Sequence, residues 1–218
     1  RPLLLYRQLL QWLGGIGIIV LVLAILPILG VGGMYLYKAE TSSPIKDNKL
    51  SPRITETAKS LWGVYIILTI TCMIFYKFAG MNYFDAVGHS FSTVSIGGFS
   101  THNESIGYYS SDLIKIICMV FMFLSALNFV LHFLLYKTKS FDNYFSNSET
   151  KTFLAIIIGL LILVLLFSFG RRLSSVDNID LIFHVLSFVT TSGFTVSEYN
   201  VWPTFIIMLI FLSSFIGA

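Results

Sequence analysis

Seven stretches of this chain, each 17 to 30 residues long, contain no Asp, Glu, Lys or Arg: 8–37, 60–76, 86–103, 116–136, 152–170, 181–197 and 199–218. Runs of this kind approach or exceed the ~20 apolar residues that the hydrocarbon core of a bilayer requires. Composition agrees with them. Of 218 residues only 11% are charged, 56% are hydrophobic, 20 are Phe, and the mean hydropathy is +0.81. A soluble domain carries about 25% charged residues, and so apolar a chain cannot cover a folded exterior with polar surface. Disorder needs low hydrophobicity and high net charge. A nucleic-acid binder needs a basic face, which 14 cations balanced by 11 anions do not supply. The expectation is an all-α integral membrane protein whose main partner is the lipid bilayer, with no nucleic acid. Cys72 and Cys118 each lie inside an apolar run and read as small buried hydrophobes, without a disulfide or metal-site spacing.

Five of the runs are expected to span. Run 8–37 is long, and Pro27 with Gly30, Gly32 and Gly33 predicts a kink in its inner third. Runs 60–76, 116–136 and 152–170 are full spans, and 199–218 begins another. The chain opens on Arg1 without a Met and stops at Ala218 inside an apolar run, so it is expected to be an internal piece of a longer polypeptide. The two remaining runs are rich in Ser, Thr and Gly. Each starts with a potential helix of ~10 residues, too short to cross, and then enters backbone that lipid cannot satisfy. Such backbone survives at membrane depth only against protein or a wet cavity. Both are expected to be re-entrant loops.

The two loops are copies. With a shift of 95, Asp85, His89, Ser92, Val94, Gly98 and Phe99 fall on Asp180, His184, Ser187, Val189, Gly193 and Phe194, six identities in 18 positions. Duplication at this spacing signals repeated architecture: helix, pore loop, helix, twice. Alternating crossings put the segments 38–59 and 137–151 on one side with eight of the 14 Lys and Arg, which the positive-inside rule makes cytoplasmic. Both loops then enter from outside.

An extended segment at membrane depth can present carbonyl oxygens in place of the hydration shell of a monovalent cation. The candidate ligands are the backbone carbonyls of Val94, Ser95, Ile96, Gly97 and Gly98, and of Val189, Thr190, Thr191, Ser192 and Gly193. The half-helix C-termini would add negative dipole ends. Asp85 and Asp180 are expected to cap the N-termini of the half-helices. His89 and His184 are expected to hydrogen-bond to neighbouring helices, with metal ligation as the alternative. Glu104, Glu198 and Asp112 fall near the outer mouth, where they either concentrate cations or are simply solvated. Asn128 and His132 share one face of a span, for interhelical bonding or pore lining. Gly14, Gly15 and Gly17 sit within a span with no preceding strand, so they indicate close helix packing and not a dinucleotide fingerprint.

These residues resemble the Trk/Ktr/HKT superfamily of potassium transporters, and within it the bacterial TrkH-type subunits. The likeness is carried by Gln11-Trp12-Leu13-Gly14-Gly15-Ile16-Gly17, by Lys38-Ala39-Glu40 and the segment 50–59, by Ser92 to His102, and by Thr190-Thr191-Ser192-Gly193-Phe194-Thr195. The resemblance implies four repeats around a pseudo-fourfold, potassium-channel-like pore, with Gly98 and Gly193 as the filter glycines of repeats two and three. It divides the chain into the last helix of repeat one (1–37), a cytoplasmic linker (38–58), repeat two (59–136, pore loop 84–101), a second linker (137–151) and repeat three (152–218, pore loop 179–196). The first and fourth filters, and a gating loop after Ala218, would lie outside it. The resemblance also implies a multi-pass protein of the bacterial inner membrane, a homodimer, and a cytosolic nucleotide-binding regulatory partner of the TrkA type.

The function expected is potassium uptake through backbone carbonyls, with potassium as the transported ion, no organic cofactor and no enzyme chemistry. A weakly selective or sodium-coupled cation transporter is the alternative. An intramembrane hydrolase fits poorly, because the polar residues recur in copies and do not form one asymmetric nucleophile–base set.

Overall fold

The computed structural model describes residues 2–25, 54–170, 177–199 and 202–215, and these are helical with connecting loops. Helix α1 covers Pro2–Ile25, α2 Ile54–Phe78, α3 Tyr83–Val94, α4 Asp112–Ala126, α5 Phe129–Thr138, α6 Asp142–Ser146, α7 Ser148–Gly170, α8 Asn178–Val189 and α9 Thr204–Ser213. The segment with Pro27 and Gly30 to Gly33, the linker 38–53, Arg171 and Arg172, and the residues after 215 lie outside the described residues.

Length and exposure decide what each helix does. Ser60–Phe78 within α2 and Ser148–Ser168 within α7 are long and apolar enough to cross a membrane. Their outward faces are unpaired hydrocarbon: Ile67, Ile70 and Ile74 on α2, and Ile158, Ile162 and Leu166 on α7, are all exposed. In water that arrangement would be costly; against lipid tails it is the expected state. Helices α3 and α8 have 12 residues each, about 18 Å of helix against a hydrocarbon core of ~30 Å. They are the half-helices predicted from composition.

The expected single span 116–136 is instead two helices. Helices α4 and α5 meet at 91° across Leu127 and Asn128. Leu127 is extended (φ −78°, ψ 151°) and ends α4, while the Asn128 side chain accepts from the Val130 backbone N–H at 3.0 Å and starts α5. His132 closes the break from the other side: its Nε2 faces the Leu124 carbonyl at 2.9 Å. The proton therefore sits on Nε2, and Nδ1 accepts from the Tyr144 hydroxyl at 2.6 Å. Burial raises the pKa of that phenol, which keeps it a donor. Asn128 and His132 thus bond around the elbow and to the following linker. That linker is largely helical, occupied by α6 and the start of α7.

Two cores result. The first gathers Tyr65, Tyr76, Met81, Phe121 and Met122 from α2, α4 and their connections, and it takes Phe183 and Phe194 from the second half of the chain. The second packs Ile157, Val164, Val185, Val189, Trp202, Ile206 and Ile210 among α7, α8 and α9. Helix α1 lies on α2 and α3, and α4 lies on α8. Trp12 anchors the first junction, stacked on Tyr65 and Phe91 with ring centroids 5.4 and 5.1 Å away and donating to Thr69 Oγ1 at 3.0 Å. Cys72 and Cys118 are buried free thiols in the first core.

Removing the cap at the elbow should be costly in proportion. Asn128→Ala leaves the α5 N-terminus open, an effect of about 1 kcal/mol, and should lower the thermal unfolding midpoint of the detergent-solubilised full-length protein.

Candidate functional site

Both half-helices end by the same device. At α3, Ile96 N–H donates to the Thr93 carbonyl at 3.1 Å and Gly97 N–H to the Ser92 carbonyl at 2.8 Å. At α8, Thr191 N–H donates to Phe188 at 3.0 Å and Ser192 N–H to Ser187 at 2.8 Å. This pair of bonds is a Schellman motif. Its C′ residue must be left-handed, and here it is Ile96 (φ 55°) or Thr191 (φ 59°), both β-branched. Such residues pay about 1–2 kcal/mol to hold that conformation. Two positions later Gly98 (φ 69°) and Gly193 (φ 81°) are left-handed again, at no steric penalty. The same backbone shape therefore occurs twice, 95 residues apart.

That shape leaves carbonyls uncommitted. Among the described residues, nothing donates a hydrogen bond to the carbonyls of Val94, Ser95, Ile96 or Gly98, nor to those of Val189, Thr191, Ser192 or Gly193. Two of the expected ligands differ. The Gly97 carbonyl accepts from Gln11 Nε2 at 2.8 Å, and the Thr190 carbonyl accepts from the neighbouring Thr191 hydroxyl at 2.7 Å. Next along the chain, the Phe99 carbonyl takes Gln8 Nε2 at 3.3 Å and the Ser100 carbonyl takes the Arg7 guanidinium at 2.7 Å. Arg7 also lies 4.5 Å from the Phe99 ring centroid. One face of α1 therefore grips the return leg of the first loop. Gly15 brings α1 close enough: a Cβ there would press on Ser95 and on the Tyr65 hydroxyl.

The loops meet each other at Gly98, where any Cβ would collide with the Ser192 carbonyl oxygen. Beyond the meeting point lies a cavity of about 360 Å³ lined by Arg7, Gly98, Phe99, Ser100, His102 and Gly193, among others. Glu104, Glu198 and Asp112 are exposed and do not line it.

The expected caps are shifted by one turn. Asn82 caps α3, accepting from Asp85 N–H at 2.8 Å, and Asp177 occupies the N-cap position of α8. Asp85 and Asp180 stand three residues later, where a carboxylate reciprocates a cap and meets the positive end of the helix. Asp85 does more than this. Its carboxylate accepts from Asn82 Nδ2 (2.6 Å), the Thr101 hydroxyl (2.6 Å), His102 Nε2 (2.9 Å) and the Tyr109 hydroxyl (2.8 Å). Burial and the Asp85 carboxylate hold the Tyr109 pKa well above its ordinary value, so the phenol stays a donor. His89 completes the network, with Nδ1 at 2.9 Å from the Asp85 carbonyl and Nε2 at 2.8 Å from Ser100 Oγ. His184 repeats the first bond with Asp180 at 2.8 Å. His89 braces its own loop through Ser100, His184 bonds within its own half-helix, and no group of three or more metal-binding side chains occurs among the described residues. Asp180 has a different partner: Lys115 of α4 donates to it at 2.8 Å while staying 3.3 Å from Asp112.

Two units, each a long helix with an exposed apolar face followed by a half-helix and a return loop with unpaired carbonyls, make this a helical membrane protein of the pore-loop type. The profile of the TrkH family, described as a cation transport protein, matches residues 1–218, and the chain belongs to that family. It is 49% identical over 221 residues to the Trk system potassium uptake protein TrkH of Halomonas elongata, covering 100% of this chain and 45% of that protein. It is 48% identical to the protein of the same name from Escherichia coli K12, of which it covers 46%. The crystal structure of the potassium transporter TrkH from Vibrio parahaemolyticus superimposes with a TM-score of 0.80 at 41% identity, over 98% of this chain and 43% of that one. The chain spans less than half the length of the curated relatives it matches.

Gly98→Ala adds a collision with the Ser192 backbone to the left-handed penalty of about 1–2 kcal/mol, and should lower the unfolding midpoint of the full-length protein. Asp85→Asn weakens a charged acceptor of several bonds, each worth about 1.5–3 kcal/mol. It should destabilise the protein more than Asp180→Asn, by the same thermal assay.

Proposed function

We propose that this chain forms part of a pore for potassium uptake across the bacterial inner membrane, with ions held by the backbone carbonyls of two of its loops. The observation that carries the reading is the repeated backbone at 94–98 and 189–193, with its unpaired carbonyls. An unpaired carbonyl at membrane depth costs several kcal/mol, and a dehydrated monovalent cation is the partner that offsets it. The C-terminal dipole ends of α3 and α8 lie at the same loops and favour positive charge. The names of the relatives, potassium uptake proteins, support potassium as the ion.

In this reading, residues 59–136 and 152–218 are repeats two and three of four, and 1–37 closes repeat one around a pseudo-fourfold axis. The carbonyls of Val94, Ser95, Ile96, Gly98, Val189, Thr191, Ser192 and Gly193 are the ligand candidates, and Gly97 and Thr190 play supporting parts. The whole protein would work as a homodimer with a cytosolic nucleotide-binding subunit, and would perform no covalent chemistry. Weak selectivity or sodium coupling is the competing reading, and reversal potentials in mixed ions separate the two.

The test is rubidium and potassium flux into liposomes containing the full-length protein. Gly98→Ser and Gly193→Ser should each reduce potassium-over-sodium selectivity, and unchanged flux and selectivity in both variants would defeat the filter assignment.

A further inference from the structure

Loop 95–100 is supported from a helix that the repeat pattern assigns to the preceding unit. Gln11 Nε2 binds the Gly97 carbonyl at 2.8 Å, and Ser92 Oγ donates to Gln11 Oε1 at 3.1 Å. The side chain is therefore fixed at both ends, with its amide nitrogen necessarily facing the loop. It also fills the space beside Gly97, where a Cβ would strike the amide group. The Gly97 carbonyl lies between those of Ile96 and Gly98, which accept nothing among the described residues. Gly97 and Gly98 are both glycines, the loosest hinges a backbone has, and pinning the peptide plane between them removes its freedom to flip and narrows the φ/ψ combinations open to its neighbours.

Among the described residues, no side-chain amide donates to the second loop. Helix α4 stands against α8 as α1 stands against α3, and the buried α4 side chains are Ile114, Ile117, Cys118, Phe121, Met122 and Ser125, without a side-chain amide. Its loop instead uses its own hydroxyls: Ser187 Oγ donates to the Phe194 carbonyl at 2.7 Å and Thr191 Oγ1 to Thr190 at 2.7 Å. The two copies share a backbone and differ in what holds it.

We infer that Gln11 is a selectivity-determining positioning residue, which turns the Gly97 carbonyl outward and so sets the spacing of the Ile96 and Gly98 carbonyls. The inference rests on the proposed cation pore. Gln11 acts through the Gly97 peptide, so its loss should blur discrimination between ions of different radius more than it blocks passage. Gln8 and Arg7, further out on the same face, hold carbonyls beyond Gly98 and act on the outer part of the leg.

The experiment uses the full-length protein in liposomes and measures the rubidium-to-sodium flux ratio together with total cation flux. Gln11→Met keeps the volume and removes the donor, as does Gln11→Glu with the shape retained. Each should lower the ratio roughly fivefold to tenfold, the loss expected for one hydrogen bond, while total flux persists. A wild-type ratio in either variant overturns the inference, and so does a fall in flux at constant ratio. If neither variant assembles in the membrane, Gln11 serves folding and the inference is also overturned. A wild-type protein that does not distinguish rubidium from sodium overturns the potassium reading itself, whatever the variants do.

Discussion

Everything in this structure answers to one constraint: backbone polar groups at membrane depth need partners that lipid cannot supply. The long helices meet it internally. The half-helices α3 and α8 do not, because each stops after 12 residues and releases a non-helical segment. The Schellman bonds at Ile96–Gly97 and Thr191–Ser192 satisfy the helix ends. Asp85, His89, Gln11 and Arg7 then satisfy the outer leg of the first loop. Carbonyls of both loops are left without a donor among the described residues, and they are the candidate site. The local strain at Ile96 and Thr191 is tolerable because the surrounding bonds leave the chain no alternative path.

The two units show how far a shared backbone fixes function. Their helix lengths, loop dihedrals and first histidine bond agree. Their supports do not. Asp85 gathers hydroxyls and an imidazole from its own return leg, whereas Asp180 reaches across to Lys115 on the other unit. Identical residues at equivalent positions carry different loads because their neighbours differ.

Much of this was legible in the sequence. Charge-free runs marked the long helices, and the Ser, Thr and Gly content of 86–103 and 181–197 marked the half-helices and their loops. The break at Leu127 was not legible: the run 116–136 is apolar on both sides of it, and Asn128 looks the same whether it caps a helix or bonds to a neighbour. The cap at Asn82 could have been found, since Asn82 followed three residues later by Asp85 is a capping-box spacing. The grip of α1 was out of reach, because Arg7, Gln8 and Gln11 bind carbonyls 86 to 93 residues away. Hydrophobic patterning reports burial, and it carries no record of such distant pairings.

The bond between Lys115 and Asp180 has a consequence for how a duplicated chain keeps its order. Two units with interchangeable backbones could dock in either sequence, or with a copy from another molecule. A cation that the first unit carries and extends to Asp180 of the second makes the junction directional. Neighbour identity is thus written in side chains laid over a fold that is itself indifferent to it, so a shuffled tandem could reproduce every loop and still mismatch its seams.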